Sequence, residues 1–256
     1  MSAEKGAAAL RFFIRPEDIS QGAVLLSPED GAHVCRVLRR RVGDSISLCD
    51  GQGTDYLGEI AEACPERTLV RIVEARPSRT EPSAQVTLYA GLSKGERFDF
   101  LIQKAVELGA SRIAPFTSRY CVVRLEERDK AKKQARMQKI ALEACKQSLR
   151  SRVVEVGPVL TFEQAVEEAA GYPCPLFLYE KENKRSLSAL LRSGGAGPFA
   201  VLSGPEGGFS PEEAAFAVGR GLPSVSIGPR ILRCETAPLA ALCAILYETS
   251  NFDIGE

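Results

Sequence analysis

Two stretches late in the chain carry the residue types best suited to hold a ligand. They are Gly204-Pro205-Glu206-Gly207-Gly208-Phe209 and Gly228-Pro229-Arg230-Ile231-Leu232-Arg233-Cys234-Glu235-Thr236. Each joins Gly-Pro to an acidic residue. Glycines permit positive φ and let backbone come close to a ligand. Set side by side, such loops wall a pocket with backbone N–H and C=O groups, which suit a purine ring or another planar polar ligand. Several other chemistries are disfavoured. No G-x-G-x-x-G opens the α/β region, and Gly204 to Ser210 has no Lys, so neither a dinucleotide fingerprint nor a P-loop is present. The single histidine, His33, rules out catalysis by two histidines and lies far from any nucleophile elbow. Eight cysteines include no C-x-x-C pair, so neither a zinc site nor a disulfide framework is expected.

Both stretches sit where a strand gives way to a helix. Phe199 to Leu202 is an apolar run feeding the first, and Ser210-Pro211-Glu212-Glu213 after it reads as a capped helix start. Pro223 to Ile227 leads into the second, and Leu239, Leu242, Cys243 and Leu246 then recur at helical spacing. In open α/β sheets ligands bind at the carboxyl ends of strands, which is where both loops fall. Upstream, strands expected at Val86–Ala90, Arg112–Phe116, Val153–Val156 and Leu176–Tyr179 alternate with helices. Those helices follow Gly95, span 128–149, start at the Thr161 to Gln164 capping pattern, and span Leu187–Leu191. The alternation predicts a parallel sheet covered by helices. Residues 11–76 have a different texture, with short strands and a helix opened by Ser27, and predict a small β-barrel. The expected organisation is a first domain over 1–76 with a loose tail at 1–10, a Pro-bounded linker at 77–83, and a second domain over 84–256.

At 256 residues, 45% apolar and 26% charged, the composition is that of an ordinary soluble protein. No run of 18 apolar residues exists, and the patch before Arg11 is too short for a secretory signal, so a cytoplasmic protein with no membrane association is expected. The net charge of zero conceals one basic segment: residues 119–152 carry 11 Lys/Arg against 4 Asp/Glu. Arg36-Val37-Leu38-Arg39-Arg40-Arg41 adds four cations in the first domain. Such asymmetry points to an anionic partner.

Taken together, Phe199–Glu213 and Ser226–Leu242 resemble the two signature loops of the SPOUT class of RNA methyltransferases, and within it the RsmE family. Lys94-Gly95-Glu96-Arg97-Phe98-Asp99 through Leu108-Gly109 is similar to the family's first motif. Pro115-Phe116, and Glu143-Ala144 with Gln147 and Arg150, are similar to its central one. Arg11-Phe12-Phe13 and His33 to Arg40 with Gly43-Asp44 fit its N-terminal domain. Three departures stand out: Cys234 where Thr is usual, Tyr120-Cys121 in place of a polar pair, and Lys146 in place of a common Glu.

The resemblance implies a PUA-like small β-barrel domain followed by a SPOUT-type α/β domain with a trefoil knot, assembled as a homodimer. It implies S-adenosylmethionine as cofactor, held by Leu202, Ser203, Gly204, Pro205, Glu206, Gly207, Gly208, Ile227, Gly228, Leu232, Arg233, Glu235, Thr236 and Ala237. It implies methylation of N3 of a uridine in small-subunit (16S) ribosomal RNA. N3 must lose a proton, so a cation and a base are needed. Arg233 or Arg230, and Glu235 or Glu206, are the candidates, with Arg233 and Glu235 preferred. The expected RNA contacts are Arg36, Arg39, Arg40, Arg41, Lys94, Arg97, Arg124, Lys132, Lys133, Lys146, Arg150 and Arg152. A catalytically silent assembly factor of the same fold, or a methyltransferase acting on another RNA position, are the alternatives.

Overall fold

The computed structural model describes residues 11–194 and 197–253; the tail expected over 1–10 lies outside them. The chain forms two units. One runs to Glu81 and includes Cys145–Val153; the other comprises Pro82–Ala144 and Val154–Glu256.

The first unit is a five-stranded sheet of order β1-β3-β4-β5-β2. Its strands are β1 (Arg11–Phe13), β2 (Ala23–Leu25), β3 (Ser45–Cys49), β4 (Thr54–Cys64) and β5 (Arg67–Pro77). In β3, Ile46 and Leu48 point inward while Ser45 and Ser47 do not, which is the period-two pattern of a half-buried strand. Phe12 of β1 and Val24 of β2, from the two ends of the strand order, share one core with Val34, Leu48, Ile60 and Val70. The sheet therefore rolls on itself, as a small barrel must. Between β2 and β3, α1 (Pro28–Ala32) starts where Ser27 Oγ accepts the Asp30 amide at 3.1 Å. It widens over His33–Val37, where the Leu38 amide donates to the His33 carbonyl at 3.0 Å.

Residues 145–153, placed in the second domain by sequence, make their contacts with the first unit. Glu81 organises them. Its carboxylate accepts Arg150 Nη2 at 2.6 Å and the amides of Ser151 and Arg152 at 2.8 and 3.0 Å. Arg11 pairs with Asp55 at 2.9 Å, and the Ser151 hydroxyl hydrogen-bonds Arg11, Asp55 and Ser78. Arg150 is only 4% exposed. A guanidinium buried in this way must be paired, and here it is. Its expected role as an RNA contact is at odds with this placement, since the guanidinium is held inside the fold against Glu81. Lys146 is drawn in likewise, 3.6 Å from Asp30.

The second unit is a parallel sheet of order β12-β10-β11-β6-β7-β8, with β9 also on β7. Its strands are β6 (Val86–Gly91), β7 (Arg112–Thr117), β8 (Glu155–Val156), β9 (Leu160–Thr161), β10 (Cys174–Leu178), β11 (Phe199–Ser203) and β12 (Ser224–Val225). Every residue of β6 and β11 is buried, as expected for strands covered on both faces. The helices are α2 (Arg97–Leu108), α3 (Glu127–Gln147), α4 (Phe162–Ala170), α5 (Leu187–Arg192), α6 (Pro211–Gly219) and α7 (Thr236–Glu248). The α4 and α6 helices open on reciprocal capping boxes, Thr161 with Gln164 and Ser210 with Glu213. Strands β12, β10, β11 and β6 are consecutive neighbours and parallel, so the loops after them emerge along one edge.

Candidate active site

Phe209 fixes the loop after β11. Its ring is buried 4.9 Å from Phe177, 5.6 Å from Phe162 and 6.4 Å from Phe116, centre to centre. The glycines here serve packing more than expected. A Cβ on Gly204 would lie 2.8 Å from the Phe209 ring, and one on Gly207 would lie 2.7 Å from the Cβ of Tyr120. At these two positions glycine admits protein groups, where the sequence suggested room for a ligand.

The loops after β10, β11 and β12 together wall a cavity of about 930 Å³. Of the residues expected to hold a cofactor, Ser203, Gly204, Pro205, Glu206, Gly207, Gly208, Ile227, Gly228, Leu232, Arg233, Glu235 and Ala237 line it. Leu202 and Thr236 do not. Leu202 faces the core beside Phe177 and Phe209, and Thr236 is the first residue of α7. Arg97, expected on the RNA surface, lines the cavity at the start of α2.

Sequence reasoning missed the third wall, Leu178–Glu180 and Glu182–Ser186. Glu182 shapes it. Its carboxylate is held down to about 2 by the Ser224 hydroxyl and by the Lys184 and Arg185 amides, which donate at 2.7 and 3.1 Å. Ser186 pairs with Ser226 as an isolated parallel bridge, tying this loop to the one after β12. The signal that finds it is the strand order, with β10 between β11 and β12, which no local pattern supplies.

The two acidic residues differ in what engages them. Glu206 Oε1 accepts the Lys94 amide at 2.9 Å and pairs with Arg97 Nη1 at 3.3 Å, joining the loop after β6 to the loop after β11. Glu235 is 9% exposed and accepts the Cys234 thiol at 3.2 Å. Burial pushes that thiol up to about 12, helped by the bond to Glu235 and by the nearby carboxylates of Glu206 and Glu235. It therefore stays protonated and donates, as a hydroxyl at this position would. Arg230 and Arg233 are exposed at the cavity, and neither forms an ion pair among the described residues. A buried carboxylate and a solvent-facing guanidinium two residues apart can hold a proton and steady an anion.

A family model for an RNA methyltransferase domain matches residues 79–246, and one for an RNA methyltransferase PUA domain matches residues 26–73. A curated relative, the ribosomal RNA small subunit methyltransferase E of Bacillus subtilis, is 33% identical over 88% of this chain and 90% of its own. The chain belongs to the ribosomal RNA small subunit methyltransferase E family. Solved structures agree. A Legionella pneumophila methyltransferase with bound S-adenosylmethionine is 32% identical, with a TM-score of 0.82 over 93% of this chain and 97% of its own. The Neisseria gonorrhoeae member of the family, bound to S-adenosylmethionine, has a TM-score of 0.81 at 32% identity over the same shares. The family's two-part plan, a PUA domain and a parallel α/β domain, is the one described above. Among the described residues no helix is long and apolar enough to cross a membrane.

Proposed function

We propose that this chain transfers the methyl group of S-adenosylmethionine to N3 of a uridine in small-subunit ribosomal RNA. The observation that carries the reading is the cavity at the carboxyl edge of the sheet, in a chain whose fold matches methyltransferases that bind this cofactor. The residues present suit it. Peptide edges at Gly204–Gly208 and Ile227–Gly228 suit a purine, and carboxylates of Glu180, Glu182, Glu206 and Glu235 suit a cation. When bound, the cofactor supplies an electrophilic methyl group on a sulfonium. The chain's own residues do the rest. The loops would position cofactor and uridine together, and positioning alone can supply much of the rate. Glu235 accepts the N3 proton, and Arg233 steadies the uridine anion. Glu206 is left to hold loops together, because Lys94 and Arg97 already occupy its Oε1. Mass mapping of small-subunit RNA from cells with and without the protein tests this. A single methyluridine that disappears with the protein, and whose methyl is on N3, is the expected result. A missing methyl at another atom or on another RNA overturns the assignment. No cofactor binding by calorimetry favours the silent assembly factor.

The first unit and the basic segment belong to the same proposal. Arg36, Arg39, Arg40 and Arg41, with Lys94, Arg124, Lys132, Lys133 and Arg152, are the proposed phosphate contacts. Each contact removed by alanine should reduce the slope of log affinity against log salt by about 0.7 for single-stranded RNA. A slope indifferent to Arg124→Ala and Lys132→Ala would remove that part of the footprint. The knot and a homodimer through the second unit complete the proposal. Phe100 on α2 and Tyr247 on α7, exposed on two helices that pack together, support the dimer.

A further inference from the structure

The Tyr120-Cys121 pair stands just before the basic helix α3, and the cofactor cavity uses neither residue. Cys121 has a structural reason to be there. It is buried beneath the turn 118–121, where its amide donates to the Ser118 carbonyl at 3.1 Å and its sulfur receives the Ser118 amide at 3.3 Å. Tyr120 has no such reason beyond its Cβ. That atom packs on Gly207, in the wall of the cavity, while the residue is 43% exposed. A small side chain would fill the same contact.

The turn is also rigidly placed. The Arg119 amide donates to Glu213 at 2.8 Å, and its guanidinium pairs with Glu212 at 3.1 Å, both at the start of α6. Arg119 Cζ lies 6.0 Å from the Tyr120 ring centre. Exposed Val122 and Arg124 follow. An aromatic face held still beside a reaction cavity and flanked by cations is the arrangement on which unpaired bases stack.

We propose that Tyr120 is a stacking platform for an unpaired base of the RNA substrate, next to the base that enters the cavity. The proposal rests on the reading of the chain as an RNA methyltransferase and adds a surface to it. Stacking tolerates any base, so Tyr120 selects for an unpaired segment and leaves sequence to other contacts. Being outside the cavity lining, it bears on RNA affinity and not on the cofactor.

Methylation kinetics on unmethylated small subunits test it, with cofactor affinity measured in parallel. Tyr120→Ala should raise KM for the subunit about tenfold, the loss of one base–aromatic stack. It should leave kcat and cofactor affinity near wild type, and Tyr120→Phe should behave as wild type. The chain has no Trp. Tyr120→Trp therefore places a single indole at the site, and its emission should be quenched by a single-stranded oligoribonucleotide. A wild-type enzyme that methylates, with Tyr120→Ala equal to it, overturns the platform and leaves the activity standing. Loss of cofactor affinity in Tyr120→Ala, or indole emission that follows protein concentration and ignores RNA, also overturns it. A wild-type protein that methylates no ribosomal RNA, with Tyr120→Trp emission still quenched by RNA, overturns the activity and keeps the platform.

Discussion

Arg233→Ala is expected to slow single-turnover methylation about 10²–10³-fold, the usual cost of removing one group that stabilises a developing anion. Cofactor affinity should change much less. Arg233 meets the cavity with a solvent-facing side chain, while its carbonyl accepts the Thr236 and Ala237 amides, both at 2.9 Å. The backbone that shapes the loop thus survives the substitution, and the lost part is the charge. Glu235→Gln complements it. The amide keeps the shape and can still accept a hydrogen bond from Cys234, but it cannot take a proton from N3. A fall in rate that shrinks as pH rises in Glu235→Gln fits a lost base. Unchanged single-turnover rates in both variants would remove the proposed chemistry, whatever the cofactor affinity.

The second large effect concerns stability. Glu81→Ala should destabilise the first unit by about 3–5 kcal/mol, because it breaks the buried ion pair between Glu81 and Arg150. It also strips acceptors from the Ser151 and Arg152 amides. Burial alone would raise the Glu81 carboxyl. The Arg150 guanidinium and the two amides outweigh it and hold the group below the usual carboxylate range. The pH consequence has a definite sign. A depressed carboxyl contributes stability that is present above about pH 4.3, its unfolded value, and is lost as pH falls through the lower folded value. Thermal denaturation from pH 7 to pH 3 should show the wild type losing this advantage over Glu81→Ala. A melting temperature of Glu81→Ala within about 1 °C of wild type at pH 7 would show that the pairing contributes nothing.

What the sequence made legible, and what it hid, follows from the range of the interactions. Capping boxes are local: Thr161 with Gln164 and Ser210 with Glu213 announce helices that start where the side chains say. The same holds for Gly109, which ends α2 with φ 112° and an amide bonded back to Ala105 and Val106. The loops at 203–209 and 227–237 are legible because their residue types are unusual and close in sequence. The wall at 178–186 was invisible because its place depends on strand order, which is a long-range fact. Val153 shows the same limit at one residue. Its pattern reads as strand, yet its amide donates to the Gly51 carbonyl, and the strand begins at Glu155. Arg150 is the sharpest case. In a basic segment it looks like a phosphate ligand, yet the distant Glu81 pairs with it inside the fold. Among the cysteines, Cys49, Cys121, Cys145 and Cys174 are buried, as small apolar residues are, while Cys64 is exposed.

The Glu81 arrangement has a consequence for how the protein is made. Synthesis proceeds from the N-terminus, and residues 145–153 leave the ribosome well after the barrel strands. Until they do, Arg11 and Asp55 lack Ser151, and Glu81 lacks every partner described above. The barrel therefore waits, incomplete, for a stretch encoded more than sixty residues downstream of Glu81, a non-local closure of the slow kind. A gene fragment that stops just after Glu81 encodes all five strands and still omits the guanidinium that pairs with Glu81 and the hydroxyl that bridges Arg11 and Asp55. The two halves of this chain cannot be separated by a single cut.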